Sequence, residues 1–130
     1  MINEKDDDLD EFPAPPRRGM LASDRELLEL AARALGAVRV EDVEGENWVN
    51  LHFEDGSTVF HWNSLVHSDD ALDLAVDLRL TVYVFECTVG ASKGSINAWP
   101  SVSENAEQGH KPATRRAITR AAAEIGKGRQ

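Results

Sequence analysis

One cysteine, Cys87, is all that 130 residues provide. An intramolecular disulfide framework and any multi-cysteine zinc site are excluded, in keeping with a reducing compartment. Nowhere do about 18 uncharged apolar residues follow one another, the length that a membrane-spanning helix needs. The N-terminus carries acids where a secretory leader has a basic start and an apolar run. These absences predict a cytoplasmic protein with no membrane role. Also missing are a Gly-x-Ser-x-Gly elbow, a Walker-type loop, a dinucleotide-binding glycine pattern and a His-Glu-x-x-His pair, so familiar routes of acyl transfer, nucleotide hydrolysis and zinc proteolysis have no support.

What is present in excess is acid. The formal net charge is -9, and it is unevenly spread. Residues 1–12 hold six acids against Lys5, residues 13–109 sixteen acids against seven bases, and residues 110–130 six bases against Glu124 alone. An acidic body thus carries a basic C-terminal end. Its overall field disfavours direct nucleic-acid binding, although a local basic face can still touch phosphates, and it favours a basic protein partner.

Residues 1–20 join an acid cluster to the prolines of "FPAPPRRG" with no periodic apolar face, and read as a flexible acidic, Pro-rich tail. The remaining chain, 21–130, has the size of one domain. "SDRELLELAARALG" predicts a helix with a Ser23/Glu26 capping box, a Gly36 terminus, and Leu27, Leu28, Ala31, Ala34 and Leu35 on its core face. "VRVEDVEGENWVNLHFEDGSTVFHWN" reads as a three-stranded antiparallel meander. A two-residue turn at Asp55-Gly56 would set Phe53 opposite Thr58, Leu51 opposite Phe60 and Val49 opposite Trp62 on one apolar face.

"SDDALDLAVDL" predicts a second helix capped by Ser68, with Asp69 and Asp70 in the first turn, where the macrodipole favours negative charge. "LTVYVFECTV" suits a central strand covered on both faces, with Cys87 a small core residue. "SINAW" suggests a short edge strand ended by Pro100. "KPATRRAITRAAAEIG" predicts a closing helix from Pro112 to Gly126, whose small face (Ala117, Ile118, Ala121, Ala122, Ile125) packs closely on a sheet. The expected fold is α+β: a largely antiparallel sheet of four to five strands packed with three helices, an α-β-α sandwich.

Three blocks, "ELLELAARALG", "WNSL…DDALDLAVDL" and "ATRRAITRAAAEIG", together resemble small bacteriophage and prophage proteins described as phage helix-sheet-helix sandwich domains, or as NinX-like. The resemblance covers about residues 23–126. Ser64 stands where that group commonly has proline, and the acidic tail lies outside the likeness. The resemblance implies a viral setting inside a bacterial host and the sandwich fold; it implies no reaction.

Two functional classes follow. The first is a non-catalytic phage accessory protein that binds and modulates a host protein, such as a nucleic-acid-handling complex or a CRISPR- or restriction-type defence complex. On that reading the acidic contacts are Asp6, Asp7, Asp8, Glu41, Asp42, Glu44 and Glu46, and the basic contacts are Arg115, Arg116 and Arg120. No cofactor is expected, and the chain is a monomer or a homodimer. The second is a metal-dependent hydrolase, for which His52 and His61 would form a diagonal pair on one sheet face and His67 with Asp69 or Asp70 would fold back over it. Arg115 and Arg116 open a helix, where the dipole disfavours positive charge. Compensation is therefore expected, either from Asp73 or Asp77 facing Arg116 or Arg120, or from the acidic tail lying over the arginines.

Overall fold

A computed structural model describes residues 20–95 and 98–128. Residues 1–19 of the expected tail, with Asp6, Asp7 and Asp8, fall outside the described residues, and Met20, counted with the tail, packs half-buried against the core. Among the described residues three helices bracket two runs of three strands: α1 (Ala22–Leu35), β1 (Arg39–Asp42), β2 (Val49–His52), β3 (Thr58–Trp62), α2 (Ser68–Asp77), β4 (Leu80–Val84), β5 (Thr88–Lys93), β6 (Ser101–Asn105) and α3 (His110–Lys127). The fold is α+β. In place of one sheet of four to five strands, the strands form two antiparallel three-stranded meanders, β1-β2-β3 and β4-β5-β6. A single cluster of buried side chains nevertheless unites Leu28 and Ala31 of α1, Val49, Leu51 and Trp62 of the first sheet, Leu74 of α2, Val89 and Val102 of the second sheet, and Ala117 and Ala121 of α3.

The helix α1 ends as expected on Gly36 in the left-handed region (φ 103°), but it starts without a side-chain cap: Leu21 is the N-cap and Ser23 lies inside the helix. Its buried surface is turned from the expected face: Leu30 and Ala32 are buried with Leu28, Ala31 and Ala34, whereas Leu27 and Leu35 are only half-buried. The flank that carries Leu30 meets α3, and this is the most extensive helix contact in the fold. Gly126 makes it possible. A Cβ at that position would lie 1.8 Å from the Leu30 carbonyl oxygen, so Gly126 is a point of close helix approach and not the expected terminus, which falls at Gly128.

In the first meander Val49 pairs with Trp62 as expected, but Leu51 pairs with Val59 and His52 with Thr58. One extra residue sits in β3. The bulge carries His61 at φ 58°, and the Asn50 side chain secures it by accepting the His61 backbone N–H at 3.1 Å. Phe60 is consequently turned out and 66% exposed, not in the core.

The run "LTVYVFECTV" is not one central strand. Phe85 N–H donates to Thr88 C=O at 2.7 Å, so Glu86-Cys87 is a two-residue hairpin turn between β4 and β5, and Cys87 is exposed. The central strand of this sheet is the less apolar β5, buried from Val89 to Ser92. Small residues suit it, since α3 lies on one face and the Tyr83 ring from β4 fills the space where a Gly90 Cβ would stand. The expected edge strand over residues 95–99 includes Ile96 and Asn97, outside the described residues, and the edge strand of this sheet, β6, follows Pro100.

Candidate binding site

The stretch from His61 to Asp70 gathers residues that could suggest a metal, and the structure resolves each into a separate local contact. His52 Nε2–H donates to Glu41 Oε1 at 3.0 Å, while the His61 ring lies 4.1 Å from that of Trp48. His67 Nδ1 lies 3.2 Å from Asp70 Oδ2. Asp69 is exposed. Among the described residues no group of three or more His, Cys, Asp or Glu side chains is placed to hold a metal ion.

Between β3 and α2 the chain turns a corner wired almost entirely by Asn63. Its side-chain oxygen accepts the Leu65 N–H at 2.9 Å, its amide donates to Asn47 C=O, and its backbone N–H donates to Asp70 Oδ2 at 2.9 Å. Asp70 in the first turn of α2 is thereby an anchor for the corner. Ser68 is the first helical residue; the N-cap is His67, with no side-chain cap bond. Ser64 is fully buried and its hydroxyl meets Thr119 Oγ1 at 2.7 Å. Because Thr119 donates its own proton to Arg115 C=O at 2.8 Å, Ser64 is the donor of that pair.

The arginines of α3 find partners other than Asp73 and Asp77, both of which are exposed on α2. Arg115 Nε donates to Leu65 C=O at 3.0 Å and Nη1 to Ser68 Oγ at 3.2 Å. Arg116 pairs with Asp24 of α1 at 2.8 Å, and Arg120 with Glu104 of β6. Their positive charge near the helix start is offset by elements that pack beside α3. On the first sheet, Asp42 pairs with Arg25 at 3.0 Å. The carboxyl of Glu41 is held below its ordinary value of 4.5, first by the His52 hydrogen bond and then by that of Asn50. Glu44 is exposed and Glu46 half-buried in the β1–β2 connection.

The cavity that stands out is a groove of about 470 Å³ where α2 and α3 diverge over the outer end of β4. Its lining is almost wholly apolar: Ala71, Leu72 and Ala75 from α2, Val82 and Val84 from β4, and Ile118 from α3. Leu72 is 61% and Val84 55% exposed. His110, Lys111, Thr114 and Arg115 edge the α3 side. His110 Nε2–H also donates to the carbonyls of Phe85 and Glu86, at 3.0 and 2.8 Å, which fixes the β4–β5 turn to the start of α3.

The groove continues into an open strand edge. Hydrogen-bonded pairs alternate along an antiparallel ladder. The Phe85–Thr88 bond therefore makes Tyr83–Gly90 and Thr81–Ser92 the bonded pairs, and Val82 and Val84 aim their backbone groups away from β5. Among the described residues no strand pairs with that edge. An apolar groove beside an unpaired strand can take an extended segment with apolar side chains.

Of the contact residues expected from the sequence, Arg115 lines the groove, whereas its apolar lining carries no motif. A signal was available in "ALDLAVDL", which has apolar residues at 71, 72, 74, 75, 76 and 78, too many for a single helical stripe. Ala71, Leu74, Ala75 and Leu78 are buried, and the surplus Leu72 and Val76 are each 61% exposed. No helix among the described residues is long and apolar enough to cross a membrane. Comparisons with protein-family models, with curated proteins and with solved structures find no match to this chain.

Proposed function

We propose that the chain is a non-catalytic binding protein of the phage accessory type, which engages and modulates a host protein in the bacterial cytoplasm. The observation that carries this reading is the α2–β4–α3 groove with its free β4 edge. Exposed leucine and valine side chains in a concave site are costly to leave in water, and they gain by covering with a partner segment. Membership of the phage sandwich group belongs to the same proposal, supported by the order of its three sequence blocks.

The finer form of the reading is an inhibitor whose acidic surface occupies a site built for phosphates, as in a nucleic-acid-handling or defence complex. It is supported by charge: among the described residues acids outnumber bases seventeen to ten. Glu41, Asp42, Glu44 and Glu46 would then make the contact, away from the groove. Retention of a host protein on immobilised full-length chain separates the two surfaces. Loss of that protein with Leu72→Asp plus Val84→Asp, at unchanged urea midpoint, assigns contact to the groove. Loss with Glu41→Lys, Glu44→Lys and Glu46→Lys together assigns it to the acidic face. A protein retained equally by both variants overturns the reading.

A further inference from the structure

The two helices that flank the groove carry opposite charge. Lys111 and Arg115 stand along its α3 wall, whereas Asp69 and Asp73 are exposed on α2. An apolar occupant with acids on one flank is therefore oriented by the site, its carboxylates toward α3.

The chain itself holds such a segment. Residues 4–12, "EKDDDLDEF", carry six acids against Lys5 and two large apolar side chains, Leu9 and Phe12. Its attachment point is close by. The helix α1 begins at Ala22, and the Asp24–Arg116 pair at 2.8 Å ties that first turn to the same stretch of α3 that supplies Lys111 and Arg115. Between Phe12 and Met20 lie seven residues, with a reach of up to about 24 Å. A helix with its side chains is only about 10–12 Å across. The connection is long enough to pass over α3 and set Phe12 in the groove.

We propose that residues 4–12 are the groove's occupant in the isolated chain, with Leu9 and Phe12 over Leu72, Val84 and Ile118 and the carboxylates toward Lys111 and Arg115. A host partner must then displace this segment, so the groove binds a foreign apolar segment only in competition with the chain's own. The inference rests on the groove being a binding surface, as above, but it fails separately. A groove left open by its own N-terminal segment can still retain a host protein.

Cys87 supplies the test, since it is the sole cysteine, is exposed, and sits in the turn at the end of β4. A nitroxide attached there in the full chain should remove most of the amide signal of residues 8–12 in a nitrogen-15 spectrum. Leu9→Ser with Phe12→Ser should restore it, and Lys111→Glu should restore it in part, more at low salt than at high. Equal signal in the wild-type and Leu9→Ser/Phe12→Ser chains overturns the proposal. A mixture of isotope-labelled chains without nitroxide and unlabelled chains with it distinguishes the source. Signal loss of the same size in that mixture assigns the contact to a second copy and overturns docking within one chain.

Discussion

The two flanks of α3 meet apolar neighbours in opposite ways. Toward α1, Ala122, Ala123 and Gly126 are small, and the helices close until no room remains for a Cβ at Gly126. Toward α2 and β4, Ile118 faces Leu72, Val82 and Val84 across a gap of about 470 Å³. Both flanks are apolar, so hydrophobicity does not separate them. Size does: small residues let backbones approach until water is excluded, while Leu72 and Val84 remain largely exposed. One flank holds the fold together and the other is left for binding.

The largest effect should come from testing that contrast directly. Leu30, on the flank of α1 that meets α3, is only 6% exposed, so Leu30→Ala should cost about 3 kcal/mol through lost burial and the cavity left behind. Leu72→Ala in the groove, where only a docked segment can cover the side chain, should cost no more than about 1 kcal/mol. Urea unfolding of both measures the difference, and equal costs would mean that α2, β4 and α3 themselves close over Leu72 in solution.

Gly126→Ala comes next. Alanine gains about 1 kcal/mol of helix propensity over glycine, yet the added methyl would meet the Leu30 carbonyl at 1.8 Å. The net result should be a loss of about 2 kcal/mol as α1 and α3 are forced apart. A stabilised variant would show that the closed flank tolerates separation.

Thr119→Val tests how the open flank is braced from behind. It strips the buried Ser64 hydroxyl of its acceptor, which should cost about 1–2 kcal/mol. Adding Ser64→Ala should recover part of that loss in a double-mutant cycle, since no buried hydroxyl is then left unmet.

The smallest effect is one of pH, far from either flank. Glu41 has a carboxyl depressed below 4.5 by His52 and Asn50. A carboxyl depressed on folding contributes stability above its unfolded value and loses it as pH falls through the folded value. This contribution should be intact at neutral pH and fade below about pH 4.5. Glu41→Gln should flatten stability against pH in that window, and carbon-13 titration of the Glu41 carboxyl reads the shift itself.

Much of the fold was legible because local signals were strong. The periodic leucines and alanines of α1, the Gly36 terminus, the first meander and the acids opening α2 all follow from side-chain spacing and backbone preference. Misreadings arose where a turn lacked its usual residues. Glu86-Cys87 carries no glycine, proline, asparagine or aspartate, so β4 and the start of β5 ran together into one apparent central strand. The β3 bulge was hidden for a related reason, since an extra residue leaves no mark in composition.

The candidate site was less legible still. The histidines and Asp70 drew notice as possible ligands, but their partners come from Glu41, Trp48 and Asn63 through the folding of separate elements. The arginines called for compensating acids, yet nothing in the sequence could select Asp24 and Glu104 over Asp73 and Asp77. The groove left two traces, the Arg115 charge at the opening of α3 and the surplus of apolar positions in α2.

Composition, charge balance, helix periodicity and the Gly36 terminus are properties of short stretches, and the sequence by itself determined them: an acidic α+β chain with a basic closing helix. Which apolar face would be sealed, which strand would sit at an edge, and which acid would meet each arginine were decided only by tertiary structure. Those outcomes depend on how closely backbones distant in sequence approach. At Gly126 they touch, and at Leu72 and Val84 they do not.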